Sequence, residues 1–383
     1  MSAKPEISII IPCLNEALAI ERCVMDAQAI CISNKFSAEI IVVDNGSEDE
    51  SLSILKKLQE KIPNLIVVNQ SSRGYGNAYM AGFSAASGDY IYMSDGDGTY
   101  DFAQLPLFVS ELKNGRDIVI GNRFAFPMQK NVMPWHHKYI GNPLLSFIVR
   151  LFFKIKIKDI HCGARAIKKT ALDSLSLNTA GMEFASEMII KAARKNLSFD
   201  EIPIPYRPRI GVSKLNSFTD GWRHLRFILL YSPLYLFLLP GIISCGIGIL
   251  SMAVLYFTKP TVFGITFFFH PMFLSAALAI IGYQLMLFSM FSKIYAITHL
   301  GDRSPSFERL FKIFSIEKAG IAGIILTLIG GLVFASIAIK WITSGFGSLD
   351  EAKNSIIALT LLVIGVQTLF SGFMLSTLGI KEI

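Results

Sequence analysis

Two aspartates separated by one glycine, Asp95 and Asp97 in MSDGDGTYD, are the residues of this chain best placed to do chemistry. They follow an apolar run and so fall in the turn at the end of a strand. There both carboxylates can face one divalent cation, or one can bind the metal and the other a ribose, while Gly96 and Gly98 let backbone come close. Hard oxygen ligands of this kind suit Mg²⁺ or Mn²⁺. A calcium loop is excluded: its third acidic position is Thr99, its glycine position Tyr100 and its closing glutamate position Pro106. A second strand-end carboxylate, Asp44 in VVDNGSEDES, can hydrogen-bond a base or ribose. Asn45, Gly46 and Ser47 then turn into a helix, with Ser47 and Glu50 spaced as a capping box.

Other constellations are less specific. Gly74 and Gly76 in SSRGYGNAYMAG open a helix whose amides could face phosphate, although no Walker GKS or GKT follows and the third glycine of a dinucleotide fingerprint is misplaced. Glu183 and Glu187, four apart, share a helix face as a second acidic pair or as solvated charge. His136 and His137 lack a nearby Cys or third His, which argues against a metal; Trp135 to Tyr139 read instead as a loop near a membrane face. No GxSxG, HExxH or Cys/His pairing points to hydrolase chemistry.

The elements that must position these residues are visible as apolar runs at 6–12, 38–44, 64–69, 89–95 and 116–122, alternating with helical patterns such as 50–61 and 102–114. That is the signature of a Rossmann-like, mostly parallel α/β sheet, in which ligands bind at the carboxyl ends of strands. The 383 residues are 52% hydrophobic and 17% charged, against about 25% charge in soluble domains, and the excess lies after residue 232. Collagenous, disordered and disulfide-scaffold classes are thereby excluded. Candidate spans at about 234–257, 270–297, 319–342 and 356–378 each exceed the roughly 20 residues needed to cross a bilayer. Gly320, Gly323, Gly330 and Gly331 suit close packing between them.

Charge then orients the chain. The connection at 298–318 carries Arg303, Arg309, Lys312 and Lys318, whereas the other two loops hold Lys259 and Lys353 alone, so the N-terminal domain, the middle loop and the C-terminus are expected in the cytoplasm. The absence of signal-peptide features in MSAKPEISIII, and five scattered cysteines without CxxC spacing, agree with a reduced, cytosol-facing domain. A net charge of +7 beside membrane spans suits anionic headgroups or phosphorylated ligands rather than nucleic acid. Segment 217–231 places Phe218, Trp222, Leu225 and Leu229 near one helical face and Arg223, His224 and Arg226 elsewhere, as an interfacial amphipathic helix would. The expected organisation is a catalytic domain at 1–216, an interfacial helix at 217–232 and a transmembrane domain at 233–383.

Taken together, IIIPCLNE, VVDNGSEDES, RGYGNAYMAGF, SDGDGTYD, GNRF, HCGARAI and RIGVSKLN, followed by membrane spans, resemble the family 2 glycosyltransferases of the dolichol- or polyprenyl-phosphate sugar synthase type. The resemblance covers about residues 5–232 strongly and the four spans in layout. It implies a GT-A catalytic domain and an inverting transfer of a hexose from a nucleotide diphosphate sugar to a polyprenyl or dolichyl monophosphate. It implies nucleoside contacts for Pro12, Asn15, Glu16, Asp44 and Gly46, and diphosphate and metal contacts for Asp95, Gly96 and Asp97. Arg123, Arg165, Arg209 and Lys214 match basic positions near donor diphosphate or acceptor phosphate. Where many members read DADLQ this chain reads DGDGT, so Thr99 is expected to stand in for a glutamine contact.

A phosphate monoester is largely dianionic at neutral pH, its second pKa being about 6, so the nucleophile needs orientation more than a strong base. Asp159 in KDIHCGARA is the base candidate from the family pattern, or else orients Arg165. A UDP-hexose is favoured over GDP-mannose by the same resemblance. A processive polysaccharide synthase is disfavoured because RHLRF at 223–227 ends in Phe where that class has Trp, and no span precedes residue 232. A non-enzymatic scaffold or flippase subunit is disfavoured by intact Asp44, Asp95 and Asp97. Charge-poor span faces leave room for a homo-oligomer.

Overall fold

The computed structural model describes residues 4–129, 132–211, 217–299 and 316–379. The chain divides into two compact units, Met1–Tyr231 and Ser232–Ile383. In the first, all five apolar runs become strands: β1 Ile7–Cys13, β2 Ala38–Asp44, β3 Leu65–Asn69, β4 Tyr90–Met93 and β5 Ile118–Asn122. Ile7, Ile9, Ile10 and Ile11 of β1 and Ile40 to Val43 of β2 have no exposed surface. Such runs are unbroken because helices cover both faces of a parallel sheet, and each buried Ile or Val contributes at most about 1.5–3 kcal/mol. Those helices include α1 Ile20–Ser33, α2 Ser51–Gln59, α3 Tyr75–Ala85 and α4 Leu105–Lys113.

Two further strands complete a seven-stranded sheet of order β3-β2-β1-β4-β6-β5-β7: β6 Arg165–Lys168 and β7 Phe199–Pro203. Periodicity does not reveal them. β6 is a four-residue RAIK, and β7 reads FDEIP at the sheet edge with Phe199 to Glu201 half-buried and only Ile202 buried. β6 runs antiparallel between β4 and β5, with Arg165 opposite Met93 on one side and Ile120 on the other. Its amino end therefore lies at the rim where β1, β2, β4 and β5 end. That inversion brings residues 159–165 to the same rim as Asp44 and Asp95.

Between β5 and β6 lies α5, Asn142–Phe153, preceded by a wider turn of helix at His137–Gly141; α6 Lys169–Leu175, α7 Phe184–Arg194 and α8 Ser217–Leu230 follow β6 and β7. α8 folds with the first unit. Ile228 is fully buried and His224 is 6% exposed, whereas Phe218, Trp222, Arg223, Arg226 and Leu230 face outward. The expected separation of polar from apolar faces is thus corrected: the basic and apolar groups share the outer face, and His224 points inward because Ser186 of α7 meets its ring.

Among the described residues, the second unit holds four helices long and apolar enough to cross a membrane, at Leu234–Phe257, His270–Tyr295, Glu317–Thr343 and Ala352–Leu378. Of the four glycines expected at helix contacts, Gly323 lies against the backbone of Gly365 and Leu369, and Gly330 against Ala358 and Leu362. Gly331 faces open space and Gly320 touches only the Leu369 side chain. Lys353 caps the first span, donating to the carbonyls of Leu255 at 2.6 Å and Tyr256 at 2.9 Å.

Candidate active site

The loops after β1 and β2 are laced together. Asn15 N donates to Ser47 Oγ at 2.9 Å, Glu48 N to Asn15 Oδ1 at 2.7 Å and Glu16 N to Ser51 Oγ at 2.9 Å. Ser47 therefore ties two loops rather than capping α2. The capping box is corrected: the helix begins at Ser51, whose amide donates to Asp49 Oδ1 at 2.9 Å. The Asn15 and Gly46 backbones lie in the left-handed region, at φ of 50° and 81°. Pro12 ends β1 one residue short, and a Cβ on Gly96 would meet its carbonyl oxygen at 2.9 Å, so this glycine permits the close approach of the two strand ends. Asp44 is 4% exposed; Oδ2 accepts from Ser47 N at 3.3 Å and Oδ1 has no partner. A buried orphan acceptor at the rim fits a donor group on a ligand, because leaving it unpaired costs about 1–3 kcal/mol.

Glycines 74 and 76 serve a different purpose from the one their spacing suggested. Gly76 N and Asn77 N donate to Ala180 O at 2.9 and 3.2 Å, and Gly74 N donates to Asn45 Oδ1 at 2.7 Å. A Cβ on either glycine would collide with a carbonyl oxygen of Thr179 or Ala180. These amides are spent on the Ala180 carbonyl and the Asn45 side chain rather than on phosphate. Glu187 supports the far side of that contact: 1% exposed, it accepts from Asn178 N, Thr179 N and Thr179 Oγ1 and pairs with Lys191. Glu183 sits just before α7, with one carboxylate oxygen buried and unpartnered.

What the glycine-rich reading missed is Tyr75 between them. Its hydroxyl donates to Asp95 Oδ1 at 2.9 Å. Burial, and then the neighbouring Asp97, push the Asp95 carboxyl up to about 6. Asp97 accepts on Oδ1 from Thr99 N at 3.0 Å and Thr99 Oγ1 at 2.6 Å, and on Oδ2 from Arg209 Nη1 at 2.9 Å. Thr99 thus orients the second carboxylate rather than reaching outward itself. Two buried carboxylates side by side, with burial and Asp97 raising the proton affinity of Asp95, fit a divalent cation, which supplies the missing positive charge. Among the described residues no cluster of three or more His, Cys, Asp or Glu exists, so water and ligand oxygens would complete the shell. His136 and His137 meet edge to face with ring centroids 4.7 Å apart, and Trp135 and Tyr139 beside them are exposed.

Around this pair stand the cations. Arg123 and Asp159 form a buried two-pronged ion pair, Nε to Oδ2 at 2.7 Å and Nη2 to Oδ1 at 2.8 Å, with Arg123 N on Oδ2 at 3.1 Å. Asp159 has no exposed surface, and its carboxylate is committed to Arg123, not Arg165. Arg123 lies over the Tyr206 ring at 5.2 Å. Arg165, 2% exposed, instead donates to the carbonyls of Cys162, Ile160 and Ala185 at 2.7, 2.8 and 2.8 Å. Through these three carbonyls it knits the loop before β6 to α7. Arg209 bridges Asp97 and Glu16. Lys214 lies outside the described residues.

One cluster had no signal in the sequence. Ser186 Oγ lies 2.8 Å from His224 Nδ1 and 3.4 Å from His161 Nε2, with the two rings 4.4 Å apart. Burial, then Arg165, hold His224 down at about 4, and burial, His224 and Arg165 hold His161 well below its ordinary value. With about 6.5 in the unfolded chain, His224 takes up a proton on unfolding below that pH but not in the native state until about 4. Stability is therefore lost as pH falls from about 6.5 to 4, by up to about 3 kcal/mol from this residue. His224→Gln should flatten that acid loss in thermal melts between pH 7 and 4.5. Equal losses in variant and wild type would show that His224 is already charged when folded.

The strand-rim carboxylate pair, with Arg209 bonded to Asp97, thus belongs to a chain whose described residues include four helices long and apolar enough to cross a membrane. Residues 8–176 match glycosyl transferase family 2, and residues 290–379 match the family 2 C-terminal transmembrane region. The low-salt glycan biosynthesis hexosyltransferase Agl6 of Haloferax volcanii is 35% identical over 98% of this chain and 89% of its own length. The chain belongs to glycosyltransferase family 2 and is an integral membrane glycosyltransferase, its sheet being that of a GT-A domain. A dolichyl-phosphate hexose transferase of the same organism is 28% identical over 56% of this chain and 89% of its own. A dolichol-phosphate mannosyltransferase of Pyrococcus furiosus is 29% identical over 58% and 62%.

Proposed function

We propose that the chain transfers a hexose, with inversion, from a nucleotide diphosphate sugar to a polyprenyl or dolichyl monophosphate at the cytoplasmic membrane face. A UDP-hexose is the favoured donor and GDP-mannose the alternative. The observation that carries this reading is the buried Asp95–Asp97 pair at the sheet rim, on the same edge as the orphan oxygen of Asp44. Asp95 and Asp97 would hold Mg²⁺ or Mn²⁺, which neutralises charge developing on the departing diphosphate. Asp44 accepts from the nucleoside. Arg123, fixed by Asp159 and Tyr206, presents a guanidinium already oriented, so little ordering is left for the reaction. The acceptor phosphate arrives as a dianion and attacks the anomeric carbon as the nucleoside diphosphate leaves. A carboxylate base is not needed, which agrees with Asp159 having no oxygen to spare.

A lipid-borne acceptor requires the catalytic unit to meet a bilayer. Trp135, Tyr139, Ile140, Leu144, Phe147 and Leu151 line the outer side of the continuous helix at 135–153, each at least half exposed. α8 packs against α5 and adds outward Phe218, Trp222 and Leu230 beside Arg223 and Arg226. An apolar stripe of this extent with basic neighbours suits an anionic membrane surface. The test is direct: purified protein, polyprenyl phosphate, Mg²⁺ or Mn²⁺ and radiolabelled UDP-glucose, UDP-GlcNAc or GDP-mannose. Label extracted in an acidic glycolipid is the expected result. Insoluble labelled polymer, or no transfer from any donor, would reject the reading.

A further inference from the structure

Arg209 sits on the carboxylate that a metal would need. The strap at 206–210 lies along the Asp97–Thr99 turn, pinned by Ile210 N donating to Asp97 O at 2.9 Å and Arg207 N to Thr99 O at 3.0 Å. From it, Arg209 Nη1 reaches Asp97 Oδ2 at 2.9 Å and Nη2 pairs with Glu16, so one guanidinium joins the loop after β1 to the loop after β4. The Asp97 side chain is 9% exposed and that of Arg209 24%, so water screens the pair poorly. Arg209 Nε is buried without a partner. Arg165, by contrast, satisfies Nε and both Nη groups on carbonyls; Arg209 is the less committed of the two.

The geometry points to Arg209 as a resident counter-charge that holds Asp97 and Glu16 while the donor site is empty, and yields its place on Asp97 to the divalent ion that arrives with the donor. This inference rests on the donor site proposed above and adds an order of events to it. A metal ion alone has to displace the guanidinium and leave it beside a like charge. A metal ion carrying a nucleoside diphosphate brings the anion that the displaced guanidinium then contacts. Only the side-chain torsions of Arg209 need change, since the strap backbone is held by its own hydrogen bonds.

The experiment is a Mn²⁺ titration followed by electron paramagnetic resonance on the purified full chain, with and without UDP or GDP, for wild type, Arg209→Gln and Arg209→Lys. Arg209→Gln should bind Mn²⁺ alone about fivefold or more tightly than wild type, and should bind Mn²⁺ with nucleoside diphosphate more weakly. Arg209→Lys, which keeps the charge, should stay near wild type in both. Should the glutamine variant fail to fold in melting experiments, Arg209→Met takes its place with the same expectation. Equal or weaker binding of Mn²⁺ alone by the neutral variant overturns the inference, because a purely structural arginine gives that result. Such an outcome leaves glycolipid formation by the wild type intact, whereas absence of glycolipid sinks the proposed function whatever Mn²⁺ does.

Discussion

Asp97→Ala is expected to lower transfer to lipid by about a thousandfold or more, measured as kcat/KM for labelled glycolipid. Asp97 is one of the two charges available for a cation at the rim, and its partner Asp95 is pushed toward protonation by burial and by Asp97 itself. Removing Asp97 lowers the proton affinity of Asp95, but leaves a single charge where, in the proposed reaction, the leaving diphosphate would need a neutralising ion. The alanine also strips the turn of its acceptor for Thr99 N and Thr99 Oγ1, and Arg209 of one anchor. Those losses amount to about 1–3 kcal/mol of stability. Asp97→Asn separates the two effects, since the amide keeps an oxygen for Thr99 while losing the charge. The asparagine variant should melt near the wild-type temperature and still be inactive; turnover close to wild type would remove the carboxylate pair from the chemistry.

Asp159→Ala is the second, and its main effect is on the fold. Arg123 is 6% exposed and Asp159 fully buried, so the alanine leaves an uncompensated charge inside, at a cost of about 3–5 kcal/mol. Transfer should fall with it, because Arg123 loses the carboxylate that aims it. A catalytic base would behave differently: its replacement lowers kcat while leaving the melting temperature alone. The double variant Arg123→Met with Asp159→Leu sharpens the distinction, since replacing both members of a buried pair by apolar groups of similar size is often neutral for stability. Recovered melting without recovered transfer is the expected outcome. A stable, inactive single variant Asp159→Ala would restore Asp159 as a base.

Much of the catalytic unit was legible beforehand because burial on both faces of a parallel sheet writes itself as short Ile- and Val-rich runs, and because helices long enough to cross a bilayer cannot hide their composition. The strands that escaped are β6, four residues long and with a buried arginine and a lysine at its ends, and β7, half-polar and at the sheet edge. The acidic residues were findable for a similar reason: carboxylates at strand ends stand out where the next residue must turn. Their partners were not. Tyr75 was overshadowed by its flanking glycines, and those glycines turned out to permit backbone contact with Thr179 and Ala180, a contact between segments far apart in the chain.

Sequence alone determined the two-part organisation, the strand ends at which chemistry is possible and the carboxylates Asp44, Asp95 and Asp97 that occupy them, because composition and hydrophobic period are local properties. Tertiary structure alone decided which arginine does what. Asp159 takes Arg123, Arg165 turns to three carbonyls and Arg209 lands on Asp97. Guanidinium groups at the end of long flexible side chains choose among acceptors that the chain order does not place side by side, and the inverted β6 strand brings those acceptors within reach.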